Sequence, residues 1–216
     1  MLIVFLPVLI PLLLIGLVIL RIKEKQDNRK RDTVIKKLRR RPELVNREDY
    51  EVQNQFSASG FVKPGWFRYL TMRVVLLGLN FAAHFIFNNG RLTVVDTIHF
   101  FRLIILDQNR RVLFLSNYDG SLESYMDDFI NKVAWGLNAV FSNGVDYPKT
   151  NWLIKDGAKD EHAFKVFINS HQIVSQVWYT AYPNLTAVNL KNNAKIREGL
   201  WSKMREKDIE KWLQRF

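Results

Sequence analysis

The first twenty positions are apolar throughout, and the next twenty-one carry eleven Lys or Arg against three acids, which makes this switch the sharpest boundary in the chain. A helix rises about 1.5 Å per residue and the hydrocarbon layer of a bilayer is about 30 Å thick. Residues 1–20 therefore predict a single transmembrane anchor. Pro7 and Pro11 fall inside it, and spanning helices tolerate proline where neighbours satisfy the freed carbonyls. No Lys or Arg precedes the run and no Ala-x-Ala pattern follows it, so the pattern favours a retained anchor over a cleaved signal peptide.

Residues 21–65 read as a basic juxtamembrane linker, polar from residue 43 and broken by Ser57-Ala58-Ser59-Gly60 and Lys63-Pro64-Gly65. A second apolar stretch covers residues 66–87. Its polar members Arg73, Asn80 and His84 share one narrow helical stripe, which predicts an amphipathic or membrane-associated helix over residues 66–90. A second spanning helix is the other structure this pattern allows, with Asn80 and His84 then needing partners inside the bilayer.

Residues 91–216 have the length and apolar content of one α+β domain. Residues 97–106 and 111–118 are rich in β-branched and aromatic side chains around an Asp107-Gln108-Asn109 turn, which predicts a hairpin. Asp119-Gly120-Ser121 closes it, with Ser121 as a helix cap. Leu122, Tyr125, Met126, Phe129, Ile130, Val133, Leu137 and Phe141 then mark one buried helical face. Glu123, Asp127 and Asp128 sit towards the start of that helix, where acids complement its dipole. A shorter helix over 160–170, a strand over 173–182 and closing helices over 189–204 and 205–216 complete the expected order. Such an order predicts an antiparallel sheet covered on one face by helices, in a ferredoxin-like arrangement.

Charge sharpens the membrane reading. The chain carries +11, of which residues 21–41 hold +8, so its basicity is local. Arg21, Lys23, Lys25, Arg29, Lys30, Arg31, Lys36, Lys37, Arg39, Arg40 and Arg41 all follow the apolar run. That asymmetry places the C-terminal domain in the cytoplasm and the cations beside anionic headgroups. Trp66 and Arg68 suit the same boundary. Topology accounts for the cations without nucleic acid, and no nucleic-acid motif accompanies them.

Candidate chemistry is sparse. The chain has no cysteine, four dispersed His and neither of the simple glycine-rich phosphate motifs, which removes thiol chemistry and the commonest zinc and nucleotide signatures. His99 lies in an apolar strand. Strict alternation puts it on the face of Phe101 and Leu103, away from Arg102. His99, Asn117 and Tyr179 are the candidate linings of a pocket between sheet and helices, and His99 with Asp119 the candidate catalytic pair.

Ile98-His99-Phe100 leading into Ser116-Asn117-Tyr118-Asp119-Gly120 before a helix resembles the dimeric α+β barrel superfamily, with dye-decolourising haem peroxidases as the nearest comparison. That resemblance implies haem, an Asp119 that assists peroxide cleavage, and a proximal ligand at His162 or His171. Here the family's first motif glycine is replaced by Ser116, and the likeness covers at most residues 97–216. Two functions follow. One is a membrane-anchored, non-enzymatic module binding a lipid, a hydrophobic small molecule or a partner protein, a second copy included. The other is a peroxidase-like oxidoreductase acting on a membrane-soluble substrate.

Overall fold

The computed structural model describes residues 2–27, 52–87 and 95–216, without the side chains of residues 2–6 and 8. It is a mixed α+β protein. Helix α1 (Leu2–Gln26) leads, followed by strand β1 (Gln53–Phe61), helix α2 (Trp66–Phe85), strands β2 (Ile98–Leu106) and β3 (Arg111–Asp119), and helix α3 (Leu122–Phe141). A two-residue ribbon, β4 (Thr150–Asn151) with β5 (Lys155–Asp156), then precedes α4 (Glu161–His171), α5 (Ala187–Trp201) and α6 (Glu206–Leu213).

The main sheet runs β1-β3-β2, antiparallel throughout, so β3 threads between two strands joined by α2. Phe56, Phe114 and Tyr118 turn to the helical side, where they meet Leu122, Tyr125, Phe129, Phe164 and Phe167. Tyr118 and Tyr125 stack at 4.1 Å, and Tyr125 bonds Ser116 at 2.6 Å, which gives these two buried hydroxyls a partner in each other. Burial pushes the Tyr125 phenol well above its ordinary range, with the Ser116 bond opposing. Ser121 caps α3 by accepting from Ser124 N at 3.2 Å, as its side chain and position predict.

Three expectations change. Residues 53–61 are a strand rather than linker, because Phe56 and Ala58 supply a core-facing alternation that the intervening Gln and Ser conceal. Both β1 and α2 pack into the folded body, with Met72 of α2 buried against Val62 and Val112. The strand expected over 173–182 does not form. Only Gln172 bridges β1, at Ala58, and Ile173 N donates to Ser57 O at 2.8 Å. Thereafter the segment bonds to side chains of β1 instead of its backbone: Ser175 to Gln55, Thr180 to Gln53, and Gln53 Nε2 to Tyr182 O at 2.9 Å and to Leu185 O.

Helix α1 is a continuous 25-residue helix through Pro7 and Pro11. Its large side chains from Leu9 to Leu14 are all more than half exposed. Among the described residues no helix is long and apolar enough to cross a membrane.

Candidate functional site

The most distinctive feature is a cavity of about 320 Å³ between α2, the helical side of the sheet and α3. Val75, Leu79 and Ala82 form one wall, Leu103 and Phe114 the floor, and Met126, Val133 and Val140 the other wall. All are apolar, and among the described residues the only hydrogen-bonding side chain on the lining is the indole of Trp135. The wall formed by α3 is irregular: Val133, at φ −139° and ψ 27°, interrupts the helix beside the cavity. The size and the absence of polar anchors suit a flexible hydrocarbon, which needs volume and contact rather than directed bonds.

The residues singled out for chemistry lie on the other side of the sheet. A bulge between Ile98 and Phe100 breaks the alternation of β2. It corrects the expected placement of His99, which turns away from Phe101 and Leu103 to bond Asp119 through Nε2 at 2.6 Å. The second Asp119 oxygen accepts from Ala187 N at 2.7 Å, in the first turn of α5. Asp119 is thus a brace between β2, β3 and α5. Asn117 lies nearby, with Gln55 and Phe100 as register partners. Tyr179 is 83% exposed and lines no described cavity. The structure therefore brings His99 and Asp119 together but does not build a pocket from His99, Asn117 and Tyr179.

Nor do these residues fit haem. Asp119 has both oxygens engaged on the polar sheet face. His162 is exposed on α4, and His171 Nδ1 bonds Phe167 O at 2.8 Å with its ring against Gly60. The three do not converge on one space. Among the described residues no group of three or more His, Cys, Asp or Glu could hold a metal ion. Asp127 and Asp128 are ion-paired at 2.7 Å with Lys165 and Lys132, as helix-surface acids.

A third constellation fastens α1 to the domain and was not foreseen. Glu24 is fully buried and accepts from Thr150 Oγ1 at 3.0 Å, Trp152 N at 2.9 Å and Leu153 N at 2.7 Å. Trp152 and Leu153 form the turn of the β4-β5 ribbon with φ of 53° and 65°, a conformation costly for bulky residues. Their paired amides are what that conformation presents to the carboxylate. Asn138 of α3 fixes the same ribbon, donating to Ile154 O and Asp156 O and accepting from Tyr147 and Ala158 N. One turn beyond Glu24, Asp27 accepts from Lys63 at 2.8 Å and Arg68 at 2.9 Å. Burial pulls the Lys63 ammonium below its ordinary range, against the pull of Asp27.

Of the expected membrane-surface residues, Arg68 is instead 3% exposed and serves this junction, because Asp27 and Asn143 supply the partners that a buried guanidinium needs. Arg21 pairs with Glu24 and lies 5.6 Å over the Trp152 ring. Lys23, Lys25 and Trp66 are exposed. Arg29, Lys30, Arg31, Lys36, Lys37, Arg39, Arg40 and Arg41 lie outside the described residues. An acid among cations was the available signal for Glu24, as for Asp27; Asn138 gave none, being one of several polar residues on an amphipathic helix.

Comparison with protein-family models, with curated proteins and with solved structures finds no match for this chain.

Proposed function

We propose that this protein is a membrane-anchored, non-enzymatic module that holds one hydrophobic ligand, an acyl chain or a molecule of similar shape, in the cavity between α2 and α3. One observation carries the reading: a cavity of about 320 Å³ whose lining is apolar apart from one indole. At about 30 Å³ for each water-sized group, this is room for on the order of ten methylenes. Among the described residues no lining group exchanges a proton at neutral pH, which is why a binding role is preferred to catalysis.

The anchor belongs to the same proposal. Residues 1–20 hold no charge, the described side chains of α1 from Leu9 to Leu14 are left uncovered, and the cations follow. Such a helix is stable with its side chains in hydrocarbon and not in water. The cytoplasmic placement of the domain rests on the charge asymmetry alone. The sheet order β1-β3-β2 with α2 joining β1 to β2 supports a ferredoxin-like reading, in which residues 172–185 occupy the place of a fourth strand.

Titrating the detergent-solubilised full chain with dansyl-undecanoic acid tests the cavity. A saturable rise in emission at one probe per chain, reversed by dodecanoate and lost in Ala82→Phe, is expected. A flat titration with a folded chain overturns the reading. For the anchor, carbonate extraction should leave the full chain in the membrane and release much of a variant lacking residues 1–20.

A further inference from the structure

Helix α2 is apolar on two opposite sides. Its inner side, with Met72 and Leu79, packs on the sheet and the cavity. Outside, Trp66, Leu70, Val74, Leu77, Phe81 and Phe85 recur every three or four positions, each between 50% and 70% exposed. That spacing makes one uninterrupted stripe along the helix, with Arg73, Asn80 and His84 confined to its margin. A stripe of this extent needs a cover. The bilayer is the cover argued for here, because the first turn of α2 is tied through Arg68 and Asp27 to the end of α1, whose own apolar side chains are uncovered. Both apolar surfaces start from one ion-paired joint. Helix α2 is itself not long and apolar enough to span, so it meets lipid along its side.

The cavity lining reaches the edge of that stripe at exposed Gly78. Gly78 and Ala82 lie on the α2 flank that turns from the stripe towards α3, and both line the cavity; Gly136 lines it from α3. A Cβ built on Gly78 or on Gly136 meets nothing within 4 Å, so among the described residues no side chain occupies the gap between the helices at these points. From this we infer that the ligand is the acyl chain of a bilayer lipid, admitted sideways from the membrane between α2 and α3 across Gly78 and Gly136. The inference rests on the cavity reading above and adds its source and route. A chain that passes from hydrocarbon to hydrocarbon never has to be hydrated on the way.

Photolabelling tests it. The full chain is reconstituted in phosphatidylcholine vesicles containing phosphatidylcholine with a diazirine near the end of one acyl chain, irradiated, and the labelled peptides are mapped. Labels on Leu77 or Phe81, and inside the cavity on Met126 or Phe129, are expected. In Gly78→Leu/Gly136→Leu, whose new side chains fill open space, the inner labels should disappear and the outer ones remain. A diazirine-bearing free fatty acid, added to the detergent-solubilised chain, separates the two claims. Inner labels from that probe but never from the vesicle lipid would overturn sideways access and leave the cavity reading standing. Inner labels from neither probe would overturn both, and an unlabelled α2 stripe would overturn its contact with lipid.

Discussion

The two faces of the three-stranded sheet solve opposite problems. On one, Phe56, Phe114 and Tyr118 meet helices across an apolar layer that leaves room for a ligand. On the other, Gln53, Gln55, Ser57 and Asp119 meet a loop and the start of α5 through directed bonds. The contrast sets directed polar bonds on one face against unfilled apolar volume on the other. Polar groups that look chemical in the sequence are consumed in holding residues 172–187 to the sheet. The chemically plain side has space to spare, and a loosely filled apolar layer is where binding costs least reorganisation.

The largest effect that would break this contrast is at Asp119. Asp119→Ala removes the acceptor of both His99 and the buried Ala187 amide, and should cost on the order of 3 kcal/mol, read as a shifted urea midpoint. Fatty-acid binding by the remaining folded fraction should be unchanged. Gln53→Ala should cost about 2 kcal/mol, since one side chain holds Thr180, Tyr182 and Leu185, and protease should then cut first within residues 173–186.

The apolar face has its own signature with pH. Burial raises the Tyr125 and Tyr147 phenols above the ordinary value of 10.0, so each contributes stability in full below that pH. Above it the unfolded chain releases protons that the folded chain keeps, and each phenol then costs about 1.4 kcal/mol per pH unit. Tyr125→Phe should make alkaline unfolding shallower by one such slope, as followed by circular dichroism between pH 9 and pH 12. The smallest effect is at Gly136→Ala, where the added methyl meets open space in a helix. Stability should rise by up to about 1 kcal/mol while dansyl-undecanoate affinity falls slightly.

What could be read in advance follows the same division. Helix α3 matched its expected start and end because one apolar period ran through it and Ser121 marked its beginning. The β2-β3 hairpin came within one residue of expectation. Strand β1 was hidden, since Gln53, Gln55 and Ser57 take side-chain partners from residues more than a hundred positions away. Residues 173–182 erred the other way: Val177, Trp178 and Tyr179 have strand propensity, but the segment spends its bonds on side chains. His99 was placed by strict alternation, and a single bulge reversed it. The cavity had no local sign at all, being a gap between residues each of which reads as ordinary core.

Glu24 has a consequence for the order of events during synthesis. Its partner Thr150 lies 126 residues downstream. At 5–20 residues per second a ribosome needs about 6 to 25 s to make that interval. Throughout it, the Glu24 carboxylate sits among cations with no turn to receive it. The chain thus commits its first helix to an environment before the domain can grip that helix, and closing the ribbon of Trp152 and Leu153 around Glu24 is among the late steps of maturation.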